Sequence, residues 1–535
     1  MSQKAAHIAH LDFDPLDMRN YSLEKLPNIK GGAIMEKIKL VGVPLAVLSF
    51  LFFHFQLIPI ETFDLLKDAG HKNAKGLLLS PALCYTALGI FFASLILWLS
   101  EAIPNYLTSF IIIVCAILFG TMSMRPAFAY LGEPVMILNI ASFIMASALV
   151  STGLARRLSL YLVLKFFNHV NMILWAFIAL NLILGAFISA TSAKTALLLP
   201  LFMVISAIFG ATGGEYRNAV GRNMVLQNLL ANNVSASAFM TGSAANLVAV
   251  SLLAGAGTPV LYSDWFLALF PFAVLQCAIA WWTGTRLIFP IRAADAEPKL
   301  EGGRERLHDE LQKLGKISNA EIRAGIVFAC VLLFWATGGH LHSIREEVVA
   351  MLGAIVVLMP AFSKLPRIGV MSWNDADIPW HMLMFSWGAY VLGGVVESTE
   401  IVEMGINNLF AAWNITADTP KVLVFIGMSG LFGFTTLISE SKTARTIIMF
   451  PILIATARKF GWDMVGFCLP MAFMINQVYV LYFNSKPANI SYLTNQYSMW
   501  DSFKFGMIQL IIIWLLLVPW AQYVMPIMGF DSKLW

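Results

Sequence analysis

Ten apolar stretches constrain what this chain can become. They run near 41–60, 77–99, 104–121, 134–153, 265–290, 322–339, 347–362, 381–398, 462–482 and 505–527. Most approach the roughly 20 residues that a helix needs to cross about 30 Å of hydrocarbon. One such stretch fits a soluble core, but ten do not. Of the 535 residues, 59% are hydrophobic and only 12% are charged, and the mean hydropathy of +0.74 lies outside the range of soluble domains. No alternating ten-residue strand pattern accompanies the stretches. In a bilayer the backbone must then be satisfied within helices, so the expectation is an all-α polytopic membrane protein rather than a barrel.

The remaining composition excludes several classes of function. A net charge of +4 with scattered cations gives no footprint for nucleic acid. Cys84, Cys115, Cys277, Cys330 and Cys468 lie in apolar segments without paired ligand spacing, so they imply neither disulfides nor metal. No nucleophile, base or metal constellation shares a common depth. The chain therefore reads as no enzyme, with no catalytic residue and no cofactor. Residues 1–36 are polar and mixed in charge, without the basic start and short apolar core of a cleaved signal. They read as a cytoplasmic arm. Arg156, Arg157, Arg217, Arg222 and the segment 292–323 would face the cytoplasm, and the 253–264 loop, which has no Lys or Arg, would face outward.

An internal repeat organises most of the chain. "ATSAKTALLLP" (190–200) returns as "SKTARTIIMFP" (441–451), and "ILNIASFIMASALVSTGLARRL" (137–158) resembles "MLMFSWGAYVLGGVVESTEIVEMGI" (382–406). Polar breaks follow both motifs, as "TGSAANLVAV" (241–250) and "NSKPANISYL" (484–493), and the paired features lie 243 to 251 residues apart. One span ahead of two five-span repeats gives the halves opposite topology. Interrupted helices at corresponding positions of such halves mark a secondary transporter with a midplane site. The expected division is an arm at 1–36, a first half at 37–290, a cytoplasmic linker at 291–321 and a second repeat at 322–535, with about 11 transmembrane helices in all.

Each opening motif suits a re-entrant hairpin, two short helices meeting at a tip. Tip backbone of this kind survives at membrane depth only if it is buried or lines a water-filled cavity. Free amides at the start of the second short helix, with nearby hydroxyls, suit an anion. Thr191, Ser192, Lys194 and Thr195 belong to the first tip, and Ser441, Lys442, Thr443 and Arg445 to the second. The breaks add Ser243, Asn246, Ser485, Lys486 and Asn489. A cation in a bilayer costs at least about 2.5 to 3.5 kcal/mol on insertion scales, so an intramembrane cation is a functional candidate. Snorkelling, or pairing with Glu440, would otherwise have to hold twice, because Lys194 and Arg445 occupy equivalent repeat positions.

These residues resemble the divalent anion:sodium symporter family, whose members move di- and tricarboxylates or sulfate. "WLSEAIPNYLTSF" (98–110), "SDWFLALFPFAVL" (263–275) and "DIPWHMLMFSWGAYVLG" (377–393) carry the likeness outside the tips, which spans roughly 85–530. The family has Ser-Asn-Thr at each tip and a Pro-Pro-Asn-like break. Here the second tip reads Ser441-Lys442-Thr443 and the first Ala190-Thr191-Ser192. The breaks read Ala244-Ala245-Asn246 and Pro487-Ala488-Asn489. The resemblance implies a carboxylate site at Thr191, Ser192, Lys442 and Thr443, and sodium sites near Ser192/Asn246 and Thr443/Asn489. It also implies a homodimer whose transport domain moves as an elevator against a scaffold.

The departures weigh against sodium. A fixed ammonium at Lys442, Lys486 or Lys194 supplies the positive charge that sodium otherwise brings near a dianion, and Arg445 could pair with a carboxylate bidentately. The expectation is sodium-independent exchange of small organic dianions in a bacterial inner membrane, with sodium- or proton-coupled dicarboxylate or sulfate symport as the alternative. The expected partners are an anionic carboxylate substrate, lipid and a second copy of the chain.

Overall fold

The computed structural model describes residues 14–21, 33–57, 72, 78–167, 169–300, 302–360, 368–412, 414–416, 418–439 and 441–535. Most of the expected N-terminal arm, and Glu440, lie outside them. Helices account for nearly all of the regular structure, and the described residues form no strand beyond isolated bridges.

The chain order shows the duplication directly. After α1 (Ala33–His54), α2 (Pro81–Ser100) and α3 (Asn105–Leu118) come α4 (Pro134–Ser151) and the short α5 (Leu154–Lys165). The first hairpin is α6 (Val170–Gly185) and α7 (Thr191–Ile208). An interrupted helix follows as α8 (Ala219–Ala238) and α9 (Ala244–Gly255), and then α10 (Tyr262–Thr283). A linker helix, α11 (Gly303–Lys313), leads to α12 (Asn319–Thr337) and α13 (Glu346–Leu358). The series then repeats as α14 (Trp380–Thr399), the short α15 (Ile401–Ala412), the hairpin α16 (Lys421–Phe434) and α17 (Lys442–Phe460), the interrupted α18 (Met464–Ala472) and α19 (Lys486–Leu493), and α20 (Met499–Pro519).

Six helical runs among the described residues are long and apolar enough to cross a membrane, and six shorter apolar helices accompany them. Four of the short ones, starting at Val170, Ala244, Lys421 and Met464, belong to the hairpins and breaks. Lipid-facing positions on the outer helices stay apolar: Val114, Leu333 and Leu352 are all exposed.

Packing falls into two cores. In one, α2, α3 and α14 meet through Trp98, Ile112, Leu383 and Val395. Close approach there needs Gly388, since a Cβ at that position would strike Ser109, whose hydroxyl donates to Phe385 O at 3.2 Å. The larger core holds both hairpins and both interrupted helices, with Phe202, Leu229, Phe450 and Phe473 among its members. The hairpins cross over within it. α7 packs on α8 of its own repeat and on α19 of the other, and α17 packs on α18 and on α9.

Arginines of the first half are tied down by partners later in the chain. Arg157 Nε donates to Glu321 Oε1 at 2.6 Å, and its other nitrogens reach Gly315 O and Leu314 O, which ties α5 to the linker and the start of α12. Arg217 pairs with Asn495 and Arg222 with Asp501.

Candidate functional site

Four helix starts converge between the two cores. A cavity of about 620 Å³ is lined by Ser189 to Ser192, by Ser243 to Ala245, by Ser441 to Thr443 and by Ser485 to Pro487. These are the first turns, with their preceding residues, of α7, α9, α17 and α19. Each start presents unpaired amides and the positive end of a helix dipole, the arrangement that attracts an anion. Three starts are capped by serine: Ser243 accepts from Ala245 N at 3.3 Å, Ser441 from Ala444 N at 3.2 Å and Ser485 from Ala488 N at 3.3 Å. At the first tip the preceding residue is Ala190, and no side chain caps α7, leaving its amides for a ligand.

The opposite wall comes from the smaller core. Glu101 to Tyr106, in the turn from α2 and the start of α3, face the tips, together with His381, Met382 and Phe385 of α14 and Lys39 of α1. Nothing in the internal repeat pointed to this wall. "SEAIPNY" drew notice only through the family resemblance, and its part in the lining had no signal in spacing.

The residues expected at the site divide into two layers. Thr191, Ser192, Ser243, Ser441, Lys442, Thr443, Ser485 and Lys486 line the cavity. Lys442 Nζ also donates to Asn233 Oδ1 at 3.0 Å, a contact between the second tip and the first repeat. Lys194, Thr195, Asn246, Arg445 and Asn489 are not part of the lining; they sit behind it.

The second layer is ordered by the broken helices. Lys194 is fully buried, and its Nζ donates to Asn232 O at 3.2 Å and to Ser235 Oγ at 2.8 Å, both in the last turns of α8. Arg445, equally buried, donates from Nη2 to Met474 O at 3.0 Å and Ile475 O at 2.9 Å, just after α18. Each cation is therefore the fourth residue of its hairpin helix, and each donates to the interrupted helix of its own repeat. Arg445 reaches carbonyls just past the helix end, where helical partners run out, whereas Lys194 reaches one carbonyl and one hydroxyl within the last two turns.

Asn246 serves the same end of α8, donating from Nδ2 to Ala236 O at 2.7 Å and Phe239 O at 2.9 Å, while its Oδ1 accepts from Asn476 Nδ2 at 2.9 Å. Thr195 Oγ1 donates to Thr191 O at 3.1 Å and accepts from Asn232 Nδ2 at 2.6 Å. Asn489 Oδ1 is buried without a partner among the described residues. Asn232, Asn233, Ser235 and Asn476 were missed in the sequence. The polar run "ANNVSAS" (231–237) inside an apolar helix was the signal that could have found the first three. No group of three or more His, Cys, Asp or Glu side chains is placed to hold a metal among the described residues.

A membrane protein of duplicated hairpins and broken helices, converging on a cation-rich cavity, is a transporter in design. The family model described as the sodium:sulfate symporter transmembrane region matches residues 77–529. The chain belongs to this family, the divalent anion:sodium symporters, and is a transporter rather than an enzyme. Among its relatives, a protein of Cupriavidus necator called "membrane protein" is 26% identical over 75% of this chain and 79% of its own length. The L-tartrate/succinate antiporter of Escherichia coli K12 is 24% identical over 76% of this chain and 82% of its own length. A solved structure, the YdaH transporter of Alcanivorax borkumensis, aligns with a TM-score of 0.45 at 12% identity, over 94% of this chain and 99% of that one.

Proposed function

We propose that the protein exchanges small organic dianions, of the size of four-carbon dicarboxylates, across a bacterial inner membrane without sodium. The observation that carries this reading is the placement of Lys194 and Arg445. At the interrupted helices of secondary transporters, unwound carbonyls and helix C-terminal ends are what coordinate a bound sodium ion. Here a covalently attached cation donates to backbone carbonyls of the interrupted helix in both repeats, Lys194 to Asn232 O near the end of α8 and Arg445 to Met474 O and Ile475 O just past α18. Positive charge beneath each tip is thereby supplied by the chain itself, and no co-ion is required to offset a dianion.

The two-walled cavity supports an elevator cycle, in which the hairpin core slides against the α2, α3 and α14 wall. A dianion would lie between Thr191, Ser192 and the uncapped start of α7 on one side and Lys442 and Thr443 on the other, with Lys486 above. The relatives named L-tartrate/succinate antiporter support both the size of the substrate and the exchange. Cytoplasmic placement of the N-terminus and a homodimeric assembly complete the reading.

One observation favours the alternative of sodium coupling: Asn476 Oδ1 and Asn489 Oδ1 are buried acceptors without partners among the described residues, both at the second break. Reconstituted vesicles separate the two. Uptake of labelled succinate should need an internal dianion and be equal in sodium and choline media. Uptake driven by a sodium gradient into vesicles free of internal anion would refute exchange.

A further inference from the structure

Glu101 is the single carboxylate among the described residues lining the cavity, against Lys39, Lys442 and Lys486. Among the described lining residues, three ammonium groups and one carboxylate leave two net positive charges, which a dianion would neutralise. Glu101 sits on the wall opposite the tips, in the turn that ends α2. Its backbone is left-handed, with φ 47° and ψ 33°, a conformation that any residue bearing a Cβ adopts at a cost. Strain held at a ligand-facing position points to a function.

The turn is held firmly. Ala102 N donates to Ser100 Oγ at 3.4 Å, and α1 lies against the turn at Gly42, where an added Cβ would lie 2.7 Å from that of Ala102. The lysines across the cavity stand on the other core. Lys486 is exposed in the cavity. None of these four charged residues makes an ion pair among the described residues. A lysine swings its ammonium on a flexible four-carbon stem, so carboxylate and ammonium can meet across the open space.

The geometry points to Glu101 as a built-in counter-anion that holds the empty carrier in place. Without substrate, the carboxylate on the fixed wall attracts Lys442 and Lys486 on the moving one and restrains the hairpin core. A bound dianion takes over both lysines, releases that restraint and permits the crossing. Glu101 thus positions the carrier instead of binding substrate, and it makes the return of an empty carrier slow. This inference rests on the exchange reading, to which it adds the residue responsible.

The test uses the full-length protein in vesicles, with labelled succinate outside and either succinate or no anion inside. Wild type and Glu101→Asp should take up label only with internal succinate. Glu101→Gln, and Glu101→Asn, whose side chain tolerates the left-handed backbone, should exchange and also show uptake into anion-free vesicles. The expected rise is about tenfold over wild type, the factor that 1.4 kcal/mol gives. Unchanged dependence on internal succinate in both neutral variants would overturn the counter-anion role and assign Glu101 to Lys39 on its own wall. Loss of exchange and of a monodisperse protein in both would overturn it too, because the turn and not the charge would then matter. Wild-type uptake into anion-free vesicles is a different outcome, one that defeats the exchange reading itself.

Discussion

Replacing Lys194 by alanine tests whether a fixed cation does the work of a bound one. The substitution removes two hydrogen bonds from a charged donor, to Asn232 O and Ser235 Oγ, a gross loss of about 3 to 6 kcal/mol at roughly 1.5 to 3 each. It also recovers the desolvation cost of a fully buried ammonium, itself several kcal/mol. The two nearly cancel, so a change in melting temperature alone decides little. The ion response decides it. The vacated space is bounded by a carbonyl and a hydroxyl oxygen, a suitable environment for a small cation. Sodium at about a hundredfold excess over its Kd would then stabilise the variant by about 2.7 kcal/mol, whereas wild type should gain nothing. Thermal unfolding of the purified proteins in sodium or choline chloride at equal ionic strength measures this. Succinate exchange by Lys194→Ala should fall in choline and recover in sodium. Sodium-free exchange at the wild-type rate, or equal stabilisation by choline, would refute the reasoning.

Other outcomes follow from contacts already described. Lys442→Ala should weaken succinate binding by about 10- to 150-fold, the loss of one charge-assisted contact, seen as a raised KM for exchange with the protein still folded. Arg157→Ala leaves the nearly buried Glu321 carboxylate unpaired and should destabilise by about 3 to 5 kcal/mol, read as a lower melting temperature; Arg157→Lys should restore only part. Gly388→Leu forces a side chain into Ser109 and should cost about 1 to 3 kcal/mol by overpacking, checked by thermal unfolding, while Gly427→Leu, with open space around it, should not.

The helical architecture, the hairpins and the duplication were legible because each is written in hydropathy or in a repeated motif. "ATSAK" and "SKTAR" interrupt apolar runs, and the structure breaks the helices there, with α7 starting at Thr191 and α17 at Lys442. The layering of the site was less legible. Lys442 and Arg445 are three residues apart, and one faces the cavity while the other faces carbonyls. They share one side of α17 about a turn apart, so depth along the helix separates them, and no local pattern encodes it. Asn233 was missed for a related reason: its partner Lys442 is 209 residues away. The wall of Glu101 and His381 depends on how two cores meet, which neither repeat records.

The cations capping the interrupted helices carry an energetic consequence for the cell. Under the proposed exchange cycle, a charge that belongs to the chain would travel out and back each time, so it would do no net electrical work, although one elementary charge moved across 100 mV is worth about 2.3 kcal/mol. Swapping one dianion for another transfers no net charge either. In the proposed sodium-free exchange, membrane voltage and the sodium gradient would both drop out, and the direction of transport would be set by the concentration ratios of the two anions alone. Such a carrier accumulates one acid only while the cell disposes of another.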